Sequence, residues 1–169
     1  MPDFKMNARR IPLPLVVCLA LVLPACSSST PTIGDAIRAV VVVTVDPNPI
    51  TGAQNPLTAA VTATYKVVLT ETAGLGGTVN FVSSSVYDPA TGLQVAINYF
   101  DSSDLVVFVG TSRLEPNGTL NVPQTLSYLL PNLSTAATLT VSTQLTDDRG
   151  NLVNSSILVP IDAPATTTQ

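Results

Sequence analysis

The sequence predicts an all-β protein, a single sandwich or small barrel of about eight or nine short antiparallel strands. Three observations carry that expectation. Apolar and polar residues alternate with a period of two through most of the chain after residue 35. Clusters of Pro, Gly, Asn and Asp separate these runs at intervals of about 8–15 residues. No ten-residue stretch there combines a 3.6-residue apolar rhythm with helix caps, so no helix is expected in this part.

Each element follows from its own residues. "IRAVVVVTV" at 37–45 is apolar on both faces, which suits a strand covered on two sides. "DPNP" (Asp46 to Pro49) prevents that strand from continuing, because proline lacks the amide hydrogen a ladder needs. "AVTATYKVVLTET" is the clearest strand, with Val61, Ala63, Tyr65, Val67 and Leu69 on one face and threonines with Lys66 on the other. "TVNFVSSSVY" follows, then "DPATG" (Asp88 to Gly92), with proline where a type I turn wants it and glycine to close. In "LQVAINYF" the inward set expected is Leu93, Val95, Ile97 and Tyr99. "DLVVFVG" at 104–110 reads as a strand buried on both faces. "PNG" (Pro116 to Gly118) signals a two-residue hairpin, since Asn-Gly tolerates positive φ. "TLNV", "TLSYLL", "TLTVSTQLT" and "SSILVPI" supply the remaining strands, the last two joined by "DDRGN" (Asp147 to Asn151).

The N-terminus is built differently. "MPDFKMNARR" carries three cations, and "IPLPLVVCLALVLPA" (Ile11 to Ala25) is fifteen mostly apolar residues. A membrane-spanning helix needs about 20 apolar residues, and Pro12, Pro14 and Pro24 interrupt this shorter run. A cationic head, short apolar middle and small-residue end describe a secretory signal peptide over residues 1–25. Leu23-Pro24-Ala25-Cys26 at its end resembles the lipobox of bacterial lipoprotein precursors: an aliphatic residue, a variable one, a small one and a cysteine. The resemblance implies that the Cys26 thiol carries diacylglycerol and that cleavage occurs just before it. The new amine is then acylated, commonly with palmitate. Cys18 would leave with the signal, so the mature chain would hold one thiol and no disulfide. Ser27, where an aspartate would resemble the inner-membrane retention signal of enteric bacteria, points to the outer membrane. Residues 26–35, "CSSSTPTIGD", form the acylated cysteine and a short flexible tether, and residues 162–169 a low-complexity tail.

Between them, residues 36–161 resemble the immunoglobulin-like or fibronectin-like domains of bacterial envelope proteins in element order and in the final "TDDRGN" hairpin. The resemblance implies a single β-sandwich. Residues 36–161 contain no cysteine and no tryptophan to mark a true immunoglobulin core, so the likeness is one of broad architecture.

Composition narrows the function. After Cys26 four cations face ten carboxylates, a balance of −6, which repels phosphate backbones and argues against nucleic acid. The chain has no histidine, which removes the commonest general base, and no catalytic residue, cofactor or small-molecule substrate is expected. Lys66 reads as a solvated strand lysine rather than a nucleophile or an isopeptide partner. Asp101 and Asp104 of "DSSD", and Asp147, Asp148 and Asn151, have the oxygens a calcium ion wants but are also the default residues of turns. Glu71 and Glu115 are too isolated for a carboxylate pair. Of the aromatic residues only Phe100, out of phase with Tyr99, is expected to face outward, a poor platform for sugar. The reading is therefore a non-enzymatic lipoprotein, held to the membrane by lipid and docking an envelope protein through a sheet edge. A glycan- or calcium-binding sandwich is the alternative.

Overall fold

A computed structural model describes residues 37–131 and 136–162 of the chain. Nine strands and one helix follow in the order β1 (Val41–Asp46), β2 (Ile50–Gln54), β3 (Val61–Glu71), β4 (Gly77–Tyr87), β5 (Gln94–Asp101), α1 (Ser102–Val109), β6 (Arg113–Leu114), β7 (Thr119–Tyr128), β8 (Ala137–Asp147) and β9 (Leu152–Asp162). The all-β expectation therefore holds, with one helical exception. The strands form two arms. In one, β3 lies between β7 on one side and β1 with β2 on the other. In the second, the order is β9-β8-β4-β5, with β6 also beside β4.

The arms are joined by a parallel pair, Ile50 with Ile161 and Thr51 with Asp162, so the sheet is mixed and not purely antiparallel. The cause lies in "DPNP". Pro47 and Pro49 end β1, and the chain resumes at Ile50 displaced toward β9 before Gly52–Gln54 returns to β3. Gly52 permits this crossing, because a Cβ there would lie 2.5 Å from Val61 Cγ1.

Alternate residues of both arms meet in one apolar core. On β3, Val61, Ala63, Tyr65, Val67 and Leu69 are all at most 3% exposed. On β8, Leu139, Val141 and Leu145 are equally buried. Burying a Val or Leu side chain contributes about 1.5–3 kcal/mol, so this interleaving drives the collapse. The Tyr65 hydroxyl donates to Gln124 Oε1 across the β3–β7 pair at 3.1 Å, and burial pushes its pKa up to about 12.

Several strand readings need correction. β1 is covered on one face only: Val41, Val43 and Val45 are buried, while Val40 and Val42 stay exposed because no layer lies over them. "TLNV" and "TLSY" form one strand, β7, running through Pro123. The ladder tolerates this proline because β7 is an edge strand, paired only with β3. "PNG" does not make a hairpin, since β6 pairs with β4 and β7 with β3. It carries the chain between the arms, with Asn117 at φ 54 and its N–H donated to Glu71 Oε2. "DPATG" and "DDRGN" do close hairpins, β4–β5 and β8–β9.

Candidate interaction surface

The β5 side of the second arm departs most from the sequence reading. β5 lies beside residues 81–87 of β4, and β6 lies beside Gly77 and Thr78. Both run antiparallel to β4, and the Val79 N–H donates to Ser112 O just before β6. β5 and β6 thus share one lane, and α1 is an excursion out of it. The helix sits against β5, β4 and β7, where β5 and β7 approach each other without pairing.

"DLVVFVG" was expected to be a strand, and its β-branched residues favour one. The caps override that preference. Asp101 Oδ1 accepts the N–H groups of Ser103 (2.7 Å) and Asp104 (2.9 Å), and Asp104 Oδ2 accepts the Asp101 N–H (3.1 Å), a reciprocal capping box. Gly110, at φ 89, ends the helix by donating to Val106 O. The D-x-x-D spacing was the available signal, with aspartate replacing the usual glutamate. These two carboxylates, candidate calcium ligands on sequence, are occupied by backbone donors.

α1 buries only Leu105 completely, leaving Val106, Val107 and Phe108 at 51%, 77% and 66% exposure. Phe108 meets Phe100 edge-on, with ring centroids 5.4 Å apart. Val95 packs against the core as expected, but beyond the bulge beside it the phase of β5 is the reverse of the one expected. Ala96, Asn98 and Phe100 lie opposite Val86, Ser84 and Val82, all of which point into the core. Directly opposed residues share a face. Ile97 and Tyr99 are therefore driven outward, more than half exposed, and Phe100 turns in. Tyr99 stacks on Phe81 at 5.6 Å.

Ile97 and Tyr99 belong to a broad outer face that continues over Ser83 and Ser85 of β4, Thr140 and Ser142 of β8, and Ser156 and Leu158 of β9. Between Asp101 and Asp162, at two of its corners, this face carries no Asp, Glu, Lys or Arg. A shallow depression of about 250 Å³ indents it, lined by Phe81, Ser142, Thr143, Asn154, Ser155 and Ser156. Beside it runs an amide relay: Asn80 Nδ2 donates to Gln144 Oε1 (3.1 Å), and Gln144 Nε2 to Asn154 Oδ1 (3.0 Å). Such a surface can offer neutral hydrogen bonds and aromatic contact. It has no charge for an anion or a cation.

The ionisable groups gather elsewhere, in a structural role. Glu71, expected to be isolated, is 1% exposed and accepts N–H groups from Val40, Ala73, Gly74, Leu75 and Asn117. Burial alone would raise its pKa, but these bonds outweigh burial and lower it. Asp147 resolves the same way: burial opposes ionisation, yet bonds from Asn151, Ala39 and Arg149 hold its pKa down at about 2. Asp148 makes a two-point pair with Arg113, both contacts 2.8 Å, which lowers its pKa. Arg113 also reaches Glu115 at 3.2 Å. Lys66 lies on the outer face of β3, paired with Asp46 at 2.9 Å. Among the described residues no three His, Cys, Asp or Glu side chains cluster as metal ligands. No helix among them is long and apolar enough to cross a membrane. Cys26, the expected lipidation site, and Cys18 lie outside the described residues.

No family model matches the chain, and no curated protein is similar to it in sequence. Solved structures do share its fold. The ApaA protein from Bordetella pertussis superposes with a TM-score of 0.57 at 15% identity, over 76% of this chain and 97% of that one. A structural-genomics target designated SoR45 matches with a TM-score of 0.57 at 11% identity, over 76% of this chain and 91% of that one. At these identities the likeness concerns the fold alone.

Proposed function

We propose that the chain is an outer-membrane lipoprotein, anchored through acylated Cys26, whose β-domain is an immunoglobulin-like docking module. The Leu23-to-Cys26 sequence supports the anchor. Several acyl chains on one residue hold firmly, each buried methylene contributing about 0.8 kcal/mol. The strand succession supports the immunoglobulin-like reading, with β1–β2, β3 and β7 facing β9, β8, β4 and β5, and the first lane shared between the arms. From Cys26 to Ile37 the chain can reach at most roughly 40 Å, so the domain works close to the bilayer.

One observation carries the docking role: exposed apolar side chains concentrated on β5 and the helix that follows it. Ile97, Tyr99, Val106, Val107 and Phe108 are each more than half exposed, all within twelve residues, whereas the other exposed large apolar side chains are scattered along the chain. Single exposed apolar residues need no explanation, but a concentration of them marks a contact surface. Mass spectrometry of the mature N-terminal peptide tests the anchor. Diacylglyceryl-modified, acylated Cys26 is expected, whereas a free thiol or retention of residues 1–25 would overturn it. A photo-cross-linker at position 107 in native membranes tests docking. Protein adducts are expected there and not from a cross-linker at Thr125 on β7.

The Phe81–Tyr99 pair above the depression favours a second reading, a neutral glycan held by ring contact and by Asn154 and serine hydroxyls. Titration with maltohexaose or cellohexaose should then shift the Asn154 side-chain amide resonances. Unchanged resonances would exclude these sugars.

A further inference from the structure

We infer that β5 pairs with β5 of a second copy of this chain, antiparallel, across a two-fold axis through Asn98. This rests on the docking reading above and names its partner.

Edges come first. A strand edge exposes unpaired N–H and C=O groups, and proteins blunt such edges with proline, charge, bulges or covering elements. β7 carries Pro123 in mid-strand. β1 approaches β9, where the Ser155 hydroxyl donates to Val41 O at 2.8 Å, and the chain then pairs with β9 through β2. β5 is less protected: its one bulge is confined to its first residues, where the register with β4 shifts between Val86 and Tyr87, and β7 comes near without pairing. The side of β5 away from β4 is unpaired among the described residues, and "QVAINYF" contains no proline, lysine or charge. Asp101 at its end is engaged in capping α1.

Charge and register then select the occupant. Two copies of a body with a balance of −6 repel wherever carboxylates face each other, and the outer face around β5 is the broad region free of them. Self-pairing also requires a strand complementary to its own reverse. Around Asn98, Ile97 falls opposite Tyr99 of the second copy, Ala96 opposite Phe100 and Val95 opposite Asp101. β-branched meets aromatic, small meets large, and no like charges are opposed. Because the axis is perpendicular to the sheet, both copies keep Ile97 and Tyr99 on one face. The arm becomes an eight-stranded sheet with the two Phe81–Tyr99 stacks flanking the junction. The pairing uses up β5, and Pro123 blunts β7, so assembly closes at two.

Sedimentation velocity on the full chain in detergent, from about 1 to 100 µM, should show a dimer whose population rises with concentration. Ile97→Lys should weaken association roughly a hundredfold by setting like charges near the axis, with a melting temperature unchanged at concentrations where both proteins are monomeric. Asn121→Lys on β7 should have no effect on it. Asn98→Cys should give an oxidised covalent pair, and Asn121→Cys should not. A monomer at every concentration, or equal dissociation by both lysine variants, would overturn the proposal. If the chain stays monomeric while Ile97→Lys abolishes the position-107 adducts in membranes, self-pairing falls and docking to another protein stands.

Discussion

β3 and β5 both alternate in burial, β5 only after a bulge at its start, yet they sit in the molecule in opposite ways. β3 has neighbours along both edges, and its five inward apolar side chains are at most 3% exposed. β5 is paired on one edge only, its inward residues are half-buried, and its larger outward ones lie open. In β3 the alternation also separates chemistry, since Thr62, Thr64, Lys66 and Thr70 interleave the apolar set. In β5 both parities are apolar: Ile97 and Tyr99 on one side, Ala96 and Phe100 on the other, with Val95 packed against the core at the bulge. Period is a local property of a strand, whereas phase is decided by the partner it pairs with.

The largest expected effect tests that contrast directly. Leu69→Ala on β3 should cost about 2–5 kcal/mol, the loss of a fully buried leucine plus the cavity it leaves. Ile97→Ala on β5 should stay within about 0.5 kcal/mol, as surface changes do. Urea midpoints at constant slope measure both. A loss above about 2 kcal/mol at Ile97 would mean that the side chain is in the core and the phase of β5 is the other one.

Next in size is the carboxylate knot at the end of β3. Five backbone donors converge on Glu71, and Glu71→Gln turns an amide NH₂ toward some of them. A cost on the order of 2–3 kcal/mol follows for a buried, charge-assisted network. Glu115→Gln, at an exposed pair, should cost almost nothing. The pH dependence has a definite sign. Glu71 and Asp147 both have pKa values below their unfolded ones, so their contribution is complete above the ordinary carboxylate range of about 4. It is lost as pH falls, through about 2 for Asp147. Stability should be flat from neutrality to about pH 5 and decline below, less steeply in Glu71→Gln. An acid limb identical in the two proteins would show that Glu71 is not held as a carboxylate.

These regions also mark how far the sequence could be read. The inward faces of β3 and β8 were legible because threonine and serine interleave valine and leucine without ambiguity. "DPATG" and "DDRGN" were legible as hairpins because their turn residues need only local geometry. The helix was not, since Val106, Val107 and Phe108 favour a strand and the capping aspartates looked like turn residues. "PNG" has the local conformation of a tight turn, with Asn117 at positive φ, but which arm receives the next strand is decided by long-range pairing. The parallel β2–β9 contact is likewise a property of the closed fold. The apolar surface on β5 and α1 was hidden for a related reason, because an apolar residue is by default assigned to the core.

A smaller effect separates the helix from the strands around it. Asp101→Ala removes the N-cap, for about 1 kcal/mol. Because α1 is an excursion from the β5–β6 lane, the damage should be local. Amide exchange should accelerate across residues 102–110, while β3 amides keep the protection of global unfolding. Equal acceleration in β3 would mean that α1 is integral to the core rather than appended to it.

The smallest effect is on the polar face of β3. Lys66 and Asp46 form an ion pair at 2.9 Å with side chains 42% and 65% exposed, so solvent screening leaves it little to contribute. A double-mutant cycle of Lys66→Gln and Asp46→Asn should give a coupling of about 0–0.5 kcal/mol, fading in salt. The value of these charges lies in where they are. They mark the outer face of β3 as one that stays in water, whereas the outer face of β5 has only Asp101 at its end and is free to meet another surface. If removing both charges left stability unchanged but created a new salt-insensitive association through β3, the two faces would differ only by that pair. If association appeared only through β5, the less protected lane, rather than low charge in general, would be what directs the contact.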